Sequence, residues 1–337
     1  MLGMTRRRLF SLAGIFMAAL APSATPAAEL LDLRYGETAS PLQSIFALPV
    51  LIAEREGFFL KRGLNFSIVP VRGGGEATVD ALEKGAADIS HVATNFLITA
   101  ALKGSDAVAI AAEFNNPIYS LVARPWVKSF ADLRGRTIGM ADMTGTVSLA
   151  TLALLARNGL TRDDFKVKVV EGTPDRFACL RKDDCDAAPL GQPQDIIARR
   201  QGYNILGLSS DATPDFLYTV TIAKRSWANA NPEAVTRYVK ALSDAFVFIR
   251  APENRDRVAR AIMDAWGSSD STARETLALY FEPERNVLPM RGEISMRGLR
   301  QVIAFLAGSG ALKGEPPDPL RFIDTRYLRA AGIADAP

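Results

Sequence analysis

Short polar and glycine-containing segments follow several predicted strands, and their side chains could hold a small ligand. In open α/β sheets, ligands sit beyond the carboxyl ends of the strands. Thr144, Gly145 and Thr146 begin a predicted helix, so their hydroxyls and backbone N–H groups at the positive end of the helix dipole could bind an anion. An ordinary helix cap is the alternative interpretation.

A second glycine turn, Gly73-Gly74-Gly75, also opens a predicted helix. Glycines at such a position either let a ligand approach the backbone closely or relieve a tight turn. Because this turn lies where a ligand would approach, we expect contact. Arg72 lies beside this turn, and Arg176 lies beside the matching turn Gly172-Thr173-Pro174 of the second half. Each arginine either complements an anion or lies on the surface.

His91 is the only histidine of the sequence and stands near the end of a predicted strand. It could bind or sense a ligand, and a structural role is the alternative. Metal or acid–base chemistry would need partner residues at a recognisable spacing, and the sequence shows none. We therefore expect no catalytic site, no metal site and no cofactor, and a protein that is not an enzyme.

The candidate ligand-binding residues share a position after a strand, at a helix start, or at an expected crossing between two halves of the chain. Few fixed positive charges stand among them, so a small organic anion held by backbone amides, sulfonate-like or other, and a neutral heterocycle such as a pyrimidine both fit. The candidates are Ser40, Gln43, Gly74, Gly75, Glu76, His91, Thr94, Asn95, Asn115, Thr144, Gly145, Thr146, Gln192 and Tyr218.

Two stretches about a hundred residues apart share one pattern of helix, strand, glycine turn, helix and strand. Residues 81–89 align with residues 179–187, and the Gly63-Leu64 pair before one strand matches Gly159-Leu160 before the other. A chain built from two similar α/β halves has a cleft between them. Small ligands bind preferentially in such clefts.

The predicted fold is α/β, with two similar α/β lobes joined by two hinge strands and a helical C-terminal part packed on lobe one. Residues 29–116 form lobe one, residues 117–216 form lobe two, and residues 217–337 return to lobe one and add the C-terminal helices. The hinge strands are expected at 118–123 and 217–223.

The N-terminus has the layout of a secretory signal peptide over residues 1–28. Arg6-Arg7-Arg8 precedes an apolar run over 9–20, which is shorter than the roughly 20 residues that span a bilayer. The arginines fit either a twin-arginine signal or a strongly positive start of an ordinary signal. We expect an exported periplasmic protein that does not span the membrane. A net charge of +3 without a basic block indicates no nucleic-acid partner.

Cys179 and Cys185 lie at the two ends of a helix–turn–strand unit. In an oxidising compartment a disulfide across this turn is plausible, because such positions can come within bridging distance. Two buried thiols are the alternative. Asp183 occupies the turn position of Gly85 in the first copy, where a positive φ is expected and where Asp is tolerated.

Several segments, taken in order, resemble the periplasmic solute-binding proteins of ABC importers. The resemblance is to the branch that binds nitrate, sulfonates such as taurine, and thiamine pyrimidine precursors, and it covers nearly the whole chain after residue 28. The segments are 49–59 with Gly63-Leu64, the 73–76 turn, 81–89, 132–139, Asp186-Ala187 with Gln192-Pro193, Asn231-Pro232-Glu233 and 322–328.

The resemblance implies a type II periplasmic binding protein, a monomer whose lobes close on a small-molecule ligand by hinge bending. It also implies a membrane permease as the partner that receives the ligand. A periplasmic sensor subunit is one alternative. An enzyme on the same fold, such as one that makes the thiamine pyrimidine or acts in menaquinone biosynthesis, is another, but the export signal and the absence of a cysteine-rich run argue against it.

Overall fold

The computed structural model describes residues 30–141, 143, 145–213, 216–282 and 285–334. Two predictions fall outside these residues: the signal peptide over 1–28 and the contact assigned to Thr144. Within the described part of the chain, no helix has the length and apolar character needed to cross a membrane.

Five strands form sheet one in the order β2-β1-β3-β10-β4. β1 is parallel to β2 and β3, whereas β10 is antiparallel to both of its neighbours, β3 and β4. All eight residues of β4 are buried, as expected for an apolar strand covered on both faces. The bounds are β1 Leu31–Thr38, β2 Leu64–Val71, β3 Ile89–Ala93, β4 Ala107–Phe114 and β10 Thr219–Lys224.

Sheet two repeats this arrangement in the order β7-β6-β8-β5-β9. Here β6 is parallel to β7 and β8, and β5 is the antiparallel strand beside β8 and β9. β5 thus holds the place in sheet two that β10 holds in sheet one, and the predicted internal repeat corresponds to matching elements of the two sheets. The bounds are β5 Ser120–Ala123, β6 Thr137–Met140, β7 Lys166–Val169, β8 Ala187–Leu190 and β9 Asn204–Leu208.

Helices α1 to α9 connect and cover the strands. The pattern over 49–60 predicts one helix, but Gly57 adopts a left-handed conformation with φ of 69° and divides that helix into α2 and α3. The bounds are α1 Ala39–Leu42, α2 Leu48–Arg55, α3 Phe58–Lys61, α4 Gly75–Glu83, α5 Thr94–Leu102, α6 Thr146–Arg157, α7 Thr173–Arg181, α8 Gln194–Arg200 and α9 Arg225–Ala230.

The C-terminal helices pack mainly on sheet one, as predicted. α10 contacts α2 and α3, α11 contacts α2, and α13 contacts α5, but α12 also contacts α8, which covers sheet two. The bounds are α10 Pro232–Arg250, α11 Arg255–Trp266, α12 Asp270–Tyr280, α13 Met296–Gly308 and α14 Arg326–Ala330. We call sheet one with the helices that cover it lobe one, and sheet two with α6, α7 and α8 lobe two.

Separate apolar clusters support the two sheets. The largest cluster spans sheet one, α2 and α10, whereas two smaller clusters lie on sheet two. In β5, Leu121 belongs to one of the smaller clusters and Val122 to the other, because successive side chains of a strand point to opposite faces. This confirms the two-lobe α/β fold.

The chain crosses between the sheets twice, and the two crossings lie side by side. The first runs from Phe114 at the end of β4 to β5, and the second leads from β9 to β10. They are hydrogen-bonded to each other, since the N–H of Tyr119 donates to Ser209 Oγ at 2.9 Å and the N–H of Phe216 donates to Asn116 Oδ1 at 2.9 Å. The strands expected at 118–123 and 217–223 are β5 and β10, and each begins two residues later than predicted.

Cys179 and Cys185 form a disulfide with a Cα–Cα distance of 5.4 Å, as the sequence favoured. The bridge joins the end of α7 to the turn before β8. In that turn Asp183 has a φ of 62°, and its counterpart Gly85 in the first copy has a φ of 68°. Both halves therefore use the same left-handed turn.

Candidate functional site

A cluster of buried aromatic rings lies where the two crossings meet the start of α2. Phe46 stacks on Tyr119 with ring centroids 5.2 Å apart, and it meets Tyr218 and Phe114 edge-on at 5.4 Å and 5.0 Å. The phenol oxygens of Tyr119 and Tyr218 lie 3.0 Å apart, within hydrogen-bonding distance. Burial raises the pKa of both tyrosines, so both phenols keep their protons and can donate. These four residues form the aromatic base of the interlobe surface.

Gln192 connects this base to lobe two and to α12. Its side-chain amide donates to Asp195 Oδ2 at 2.7 Å and accepts from the phenol of Tyr280 at 3.0 Å. Its backbone carbonyl accepts from the N–H of Ile45 in lobe one at 3.2 Å. Gln192 is fully buried, so one side chain of lobe two is enclosed by residues from both lobes.

Asp195 is the buried carboxylate beside Gln192. Burial raises its pKa, and the hydrogen bonds from Ser120 and Gln192 partly offset this effect. Ser120 Oγ donates to Asp195 Oδ2 at 2.6 Å, and Ser120 directly follows Tyr119. Asp195 therefore fixes both Gln192 and the beginning of β5.

Arg176 on α7 supplies a buried positive charge next to the aromatic base. Only 3% of the residue is exposed, and its guanidinium carbon lies 5.9 Å from the centre of the Tyr119 ring. Its Nε donates to the carbonyl of Pro189 at 2.7 Å, and Nη2 donates to Thr173 Oγ1 at 3.2 Å. Arg72, the other arginine beside a glycine turn, is exposed.

Two helix starts, one from each lobe, meet beside this surface. Thr146 at the start of α6 donates its hydroxyl to Asn95 Oδ1 in the first turn of α5 at 2.6 Å. Thr94, the residue before Asn95, is buried, and its Oγ1 has no hydrogen-bond partner within the described residues. The same holds for Thr219 Oγ1 at the start of β10 and for Asn115 Oδ1 in the first crossing. Buried polar atoms in proteins are normally paired, so these three atoms are candidates for contact with a ligand.

Several predicted residues lie at the rim or away from the buried set. Gln43 is exposed, and its carbonyl accepts from Gln194 of lobe two at 3.3 Å. Gly74 and Glu76 are exposed, and Glu76 lies 4.0 Å from Lys103. A Cβ on Gly75 would collide with Phe96, so packing against that ring requires glycine there. Ser40 lies in α1, and Gly145 is the buried residue that precedes α6.

His91 lies inside sheet one and forms a buried pair with Glu37. Its Nδ1 is 2.5 Å from Glu37 Oε2, while Nε2 has no hydrogen-bond partner among the described residues. Burial lowers the pKa of His91, but the charges of Glu37 and Glu113 and the hydrogen bond to Glu37 outweigh burial and raise it to about 9. His91 is therefore protonated at neutral pH, while burial raises the pKa of Glu37 and the charge of His91 partly offsets that rise. This geometry favours the structural role among the two interpretations of His91.

The structure places the predicted residues Gln192, Tyr218, Thr146 and Asn95 at this surface, and it adds Phe46 and several of its neighbours, which the sequence did not indicate. Phe46 stands between β1 and α2, after the carboxyl end of a strand, and an aromatic residue at such a place was the available signal. The other residues that the sequence did not indicate are Tyr119, Asp195 and Tyr280.

The sequence profile described as NMT1/THI5 like matches residues 46–254 of this chain. A Brucella abortus protein provisionally named a binding protein is 30% identical over 200 residues. The matched region covers 58% of this chain and 60% of that protein, so the match spans less than two thirds of the relative.

Solved structures of two binding proteins share the fold. The aliphatic sulphonate-binding protein SsuA of Escherichia coli superposes with a TM-score of 0.68 at 18% identity, covering 87% of this chain and 92% of that one. The ligand-binding component of an ABC-type import system from Staphylococcus aureus gives a TM-score of 0.74 at 12% identity, covering 89% and 99%. The desulfurization enzyme DSZB also shares it, with a TM-score of 0.63 at 16% identity, covering 89% and 98%.

Proposed function

Because this chain belongs to the NMT1/THI5-like family, we propose that it is an exported solute-binding protein of an ABC importer. It captures a small molecule between its two lobes in the periplasm and delivers it to a membrane permease. The observation that carries the proposal is the buried interlobe surface, where Phe46 of lobe one, the crossing residues Tyr119 and Tyr218, and Gln192 of lobe two enclose one another.

The arrangement of the lobes is suited to capture by closure. In the described part of the chain two adjacent crossings connect the sheets, so rotation about them can open the interlobe surface. Most of each apolar cluster belongs to one lobe, although Leu149 of α6 joins the cluster of sheet one. Closure lets both lobes contribute contacts to one ligand. Binding between micromolar and nanomolar affinity corresponds to roughly −8 to −12 kcal/mol.

Two features of the surface favour a small organic anion such as a sulfonate. The guanidinium of Arg176 offers a charge that is already desolvated, and the starts of α5 and α6 add the positive ends of two helix dipoles. The hydroxyls of Thr94 and Thr219, which have no partner in the described part of the chain, add two donors. A pyrimidine is the second candidate ligand, because the stacked rings of Phe46 and Tyr119 suit a flat heterocycle.

Binding rather than catalysis is supported by how the buried acid–base groups are used. The carboxylate of Asp195 accepts hydrogen bonds from Ser120 and Gln192, and the imidazole of His91 is paired with Glu37. Each of these groups holds the structure together. The enzyme DSZB has the same fold, so the measurement below includes turnover.

The experiment is a binding screen of the purified protein against alkanesulfonates, nitrate, carboxylates and pyrimidines, by thermal shift and then by calorimetry. A ligand at one hundred times its dissociation constant adds roughly 2.7 kcal/mol of stability. We expect one chemical class to raise the melting temperature and to be recovered unchanged. If the ligand is chemically converted, the protein is an enzyme and the proposal is wrong. If no class of compound raises the melting temperature, a sensor role or another ligand is favoured.

Matched variants separate the two ligand classes. Arg176→Lys should weaken the binding of an anion about tenfold or more, because the planar guanidinium and its paired N–H donors are lost. It should change the affinity for a pyrimidine little. Arg181→Lys, at an exposed arginine on the same helix, is the control. Tyr119→Phe should weaken either ligand by roughly 2- to 10-fold through the lost hydrogen bond, whereas Tyr203→Phe elsewhere in lobe two should not.

A further inference from the structure

A cavity on lobe one adjoins the aromatic base, since its lining residues Leu42 and Ala47 are next in sequence to Gln43 and Phe46. Its water-accessible volume is about 70 Å³. Its walls come from β1, β2, the α1–α2 region and the end of α11, and none of its lining residues belongs to sheet two or to α6, α7 or α8. Opening or closing of the lobes therefore leaves its walls in place.

The polar side chains of this cavity offer acceptors. Glu37 is only 2% exposed, and Glu54 on α2 is exposed. The hydroxyl of Tyr35 donates to Glu113 at 3.1 Å, and the indole N–H of Trp266 donates to the carbonyl of Leu42 at 3.0 Å. Because the two donor groups in the wall are already used, a ligand meets carboxylate oxygens and aromatic rings.

Among the described residues that line the cavity, none is basic. The arginines on the helices beside it are paired elsewhere: Arg55 with Asp264 at 2.8 Å, and Arg257 with Glu56. The buried cation behind the wall is His91, which is bonded to Glu37 Oε2, and Glu37 Oε1 accepts from the N–H of Thr38 at 2.7 Å. A carboxylate oxygen can accept more than one hydrogen bond, so Glu37 keeps acceptor capacity.

The remaining wall is apolar, with Leu51 of α2 and Ile68 of β2 among its residues. Trp266 closes one side, and its orientation is fixed by its hydrogen bond to Leu42. An indole ring attracts cations at its face, and adjacent carboxylates add to this attraction. Aromatic and acidic groups together with an apolar wall suit a positively charged head on a short hydrocarbon body.

We propose that this cavity is a second small-molecule site that binds a small organic cation, an alkylammonium or quaternary ammonium ion. The ammonium group lies against Trp266 with Glu54 as its counter-ion, since Glu37 is already paired with His91. The hydrocarbon part packs on Leu51 and Ile68. Lobe two contributes no residue to its lining.

The test follows the indole N–H signal of Trp266 by NMR in the full-length protein, assigned with Trp266→Phe among the three tryptophans of the chain. The probes are n-butylammonium, tetramethylammonium and the neutral n-butanol, titrated at low salt. We expect a saturable shift of the Trp266 signal with both ammonium ions, and binding of n-butanol at least tenfold weaker. The signals of Trp126 and Trp227 should stay constant.

Glu54→Gln tests the charge without disturbing the fold, because Glu54 is exposed. It should weaken the binding of n-butylammonium about threefold to tenfold. Glu253→Gln, which changes an exposed glutamate outside the cavity, should leave that binding unchanged. Equal binding of n-butanol and the ammonium ions, an unchanged affinity in Glu54→Gln, or no saturable shift of the Trp266 signal would each overturn the proposal.

Discussion

The buried pair of His91 and Glu37 allows a sharp test of the electrostatics inside lobe one. His91 is the only histidine in the chain, so its titration appears as one imidazole signal in an NMR spectrum. An ordinary histidine titrates between about pH 5 and 8. Burial alone would lower the pKa of His91, but Glu37 and Glu113 raise it to about 9. We therefore expect the signal to stay constant up to about pH 8 and to move with a midpoint near 9.

The same shift makes the stability of the fold depend on pH. The pKa of His91 rises from 6.5 in the unfolded chain to about 9 in the folded protein, so folding favours the protonated form. Its stabilising contribution is fully present below about pH 6.5 and is lost as the pH rises through about 9. At roughly 1.36 kcal/mol per pKa unit, the loss is about 3 kcal/mol. Urea unfolding at a series of pH values measures it.

Variants identify the source of the shift. Glu37→Gln removes the partner at 2.5 Å, so burial should then prevail over the remaining Glu113 and bring the pKa of His91 well below 9. His91→Gln should flatten the pH dependence of stability between about 6.5 and 9. Glu76→Gln, at an exposed glutamate, is the control. A midpoint near 6.5 in the unaltered protein would refute the reasoning, and this observation needs no variant to fold.

Two further predictions concern the contact between the lobes and the disulfide. Glu275 on α12 forms ion pairs with Arg199 and Arg200 on α8. Partly exposed ion pairs contribute up to about 1 kcal/mol, so Glu275→Gln should weaken binding of the interlobe ligand about fivefold. Calorimetry measures this, with Glu233→Gln within α10 as the control, and an unchanged affinity would contradict a role in closure. Replacing both Cys179 and Cys185 by Ala should cost about 2 kcal/mol of unfolding free energy, because the bridge closes a short loop. A reductant should lower the urea midpoint of the unaltered protein and should leave the midpoint of the double variant where it is. Equal urea midpoints of the two proteins under oxidising conditions would contradict the estimate.

The elements that the sequence predicted best depend on local patterns. The second repeat, with β7, α7 and β8, was recognisable because its turn residues and apolar positions match those of β2, α4 and β3. The break at Gly57 was not recognisable in this way, because the apolar pattern continues through it and only the left-handed backbone reveals the boundary. Local signals therefore predict the type of an element better than its ends.

The candidate site was harder to predict, because it depends on contacts between distant residues. Gln192 was predicted because it follows a strand, and Tyr218 because it lies at an expected crossing between the halves. Glu37 stands 54 residues before His91, and no spacing rule relates two side chains that meet across neighbouring strands. Arg176 was ambiguous for a similar reason, since only the packing of α7 against the first crossing shows that it is buried.

The repeat also explains why two tyrosines stand at the centre of the interlobe surface. Tyr119 immediately precedes β5, and Tyr218 immediately precedes β10, the strand that holds the equivalent place in the other sheet. The two residues therefore occupy corresponding positions in the two halves, and the adjacent crossings bring their hydroxyls to 3.0 Å. Hinge bending, which the proposed function requires, can leave this pair together because both residues belong to the crossings. The hydrogen bonds from Ile45 to Gln192, from Gln194 to Gln43 and from Thr146 to Asn95 join residues on opposite lobes. They are among the contacts that opening must break.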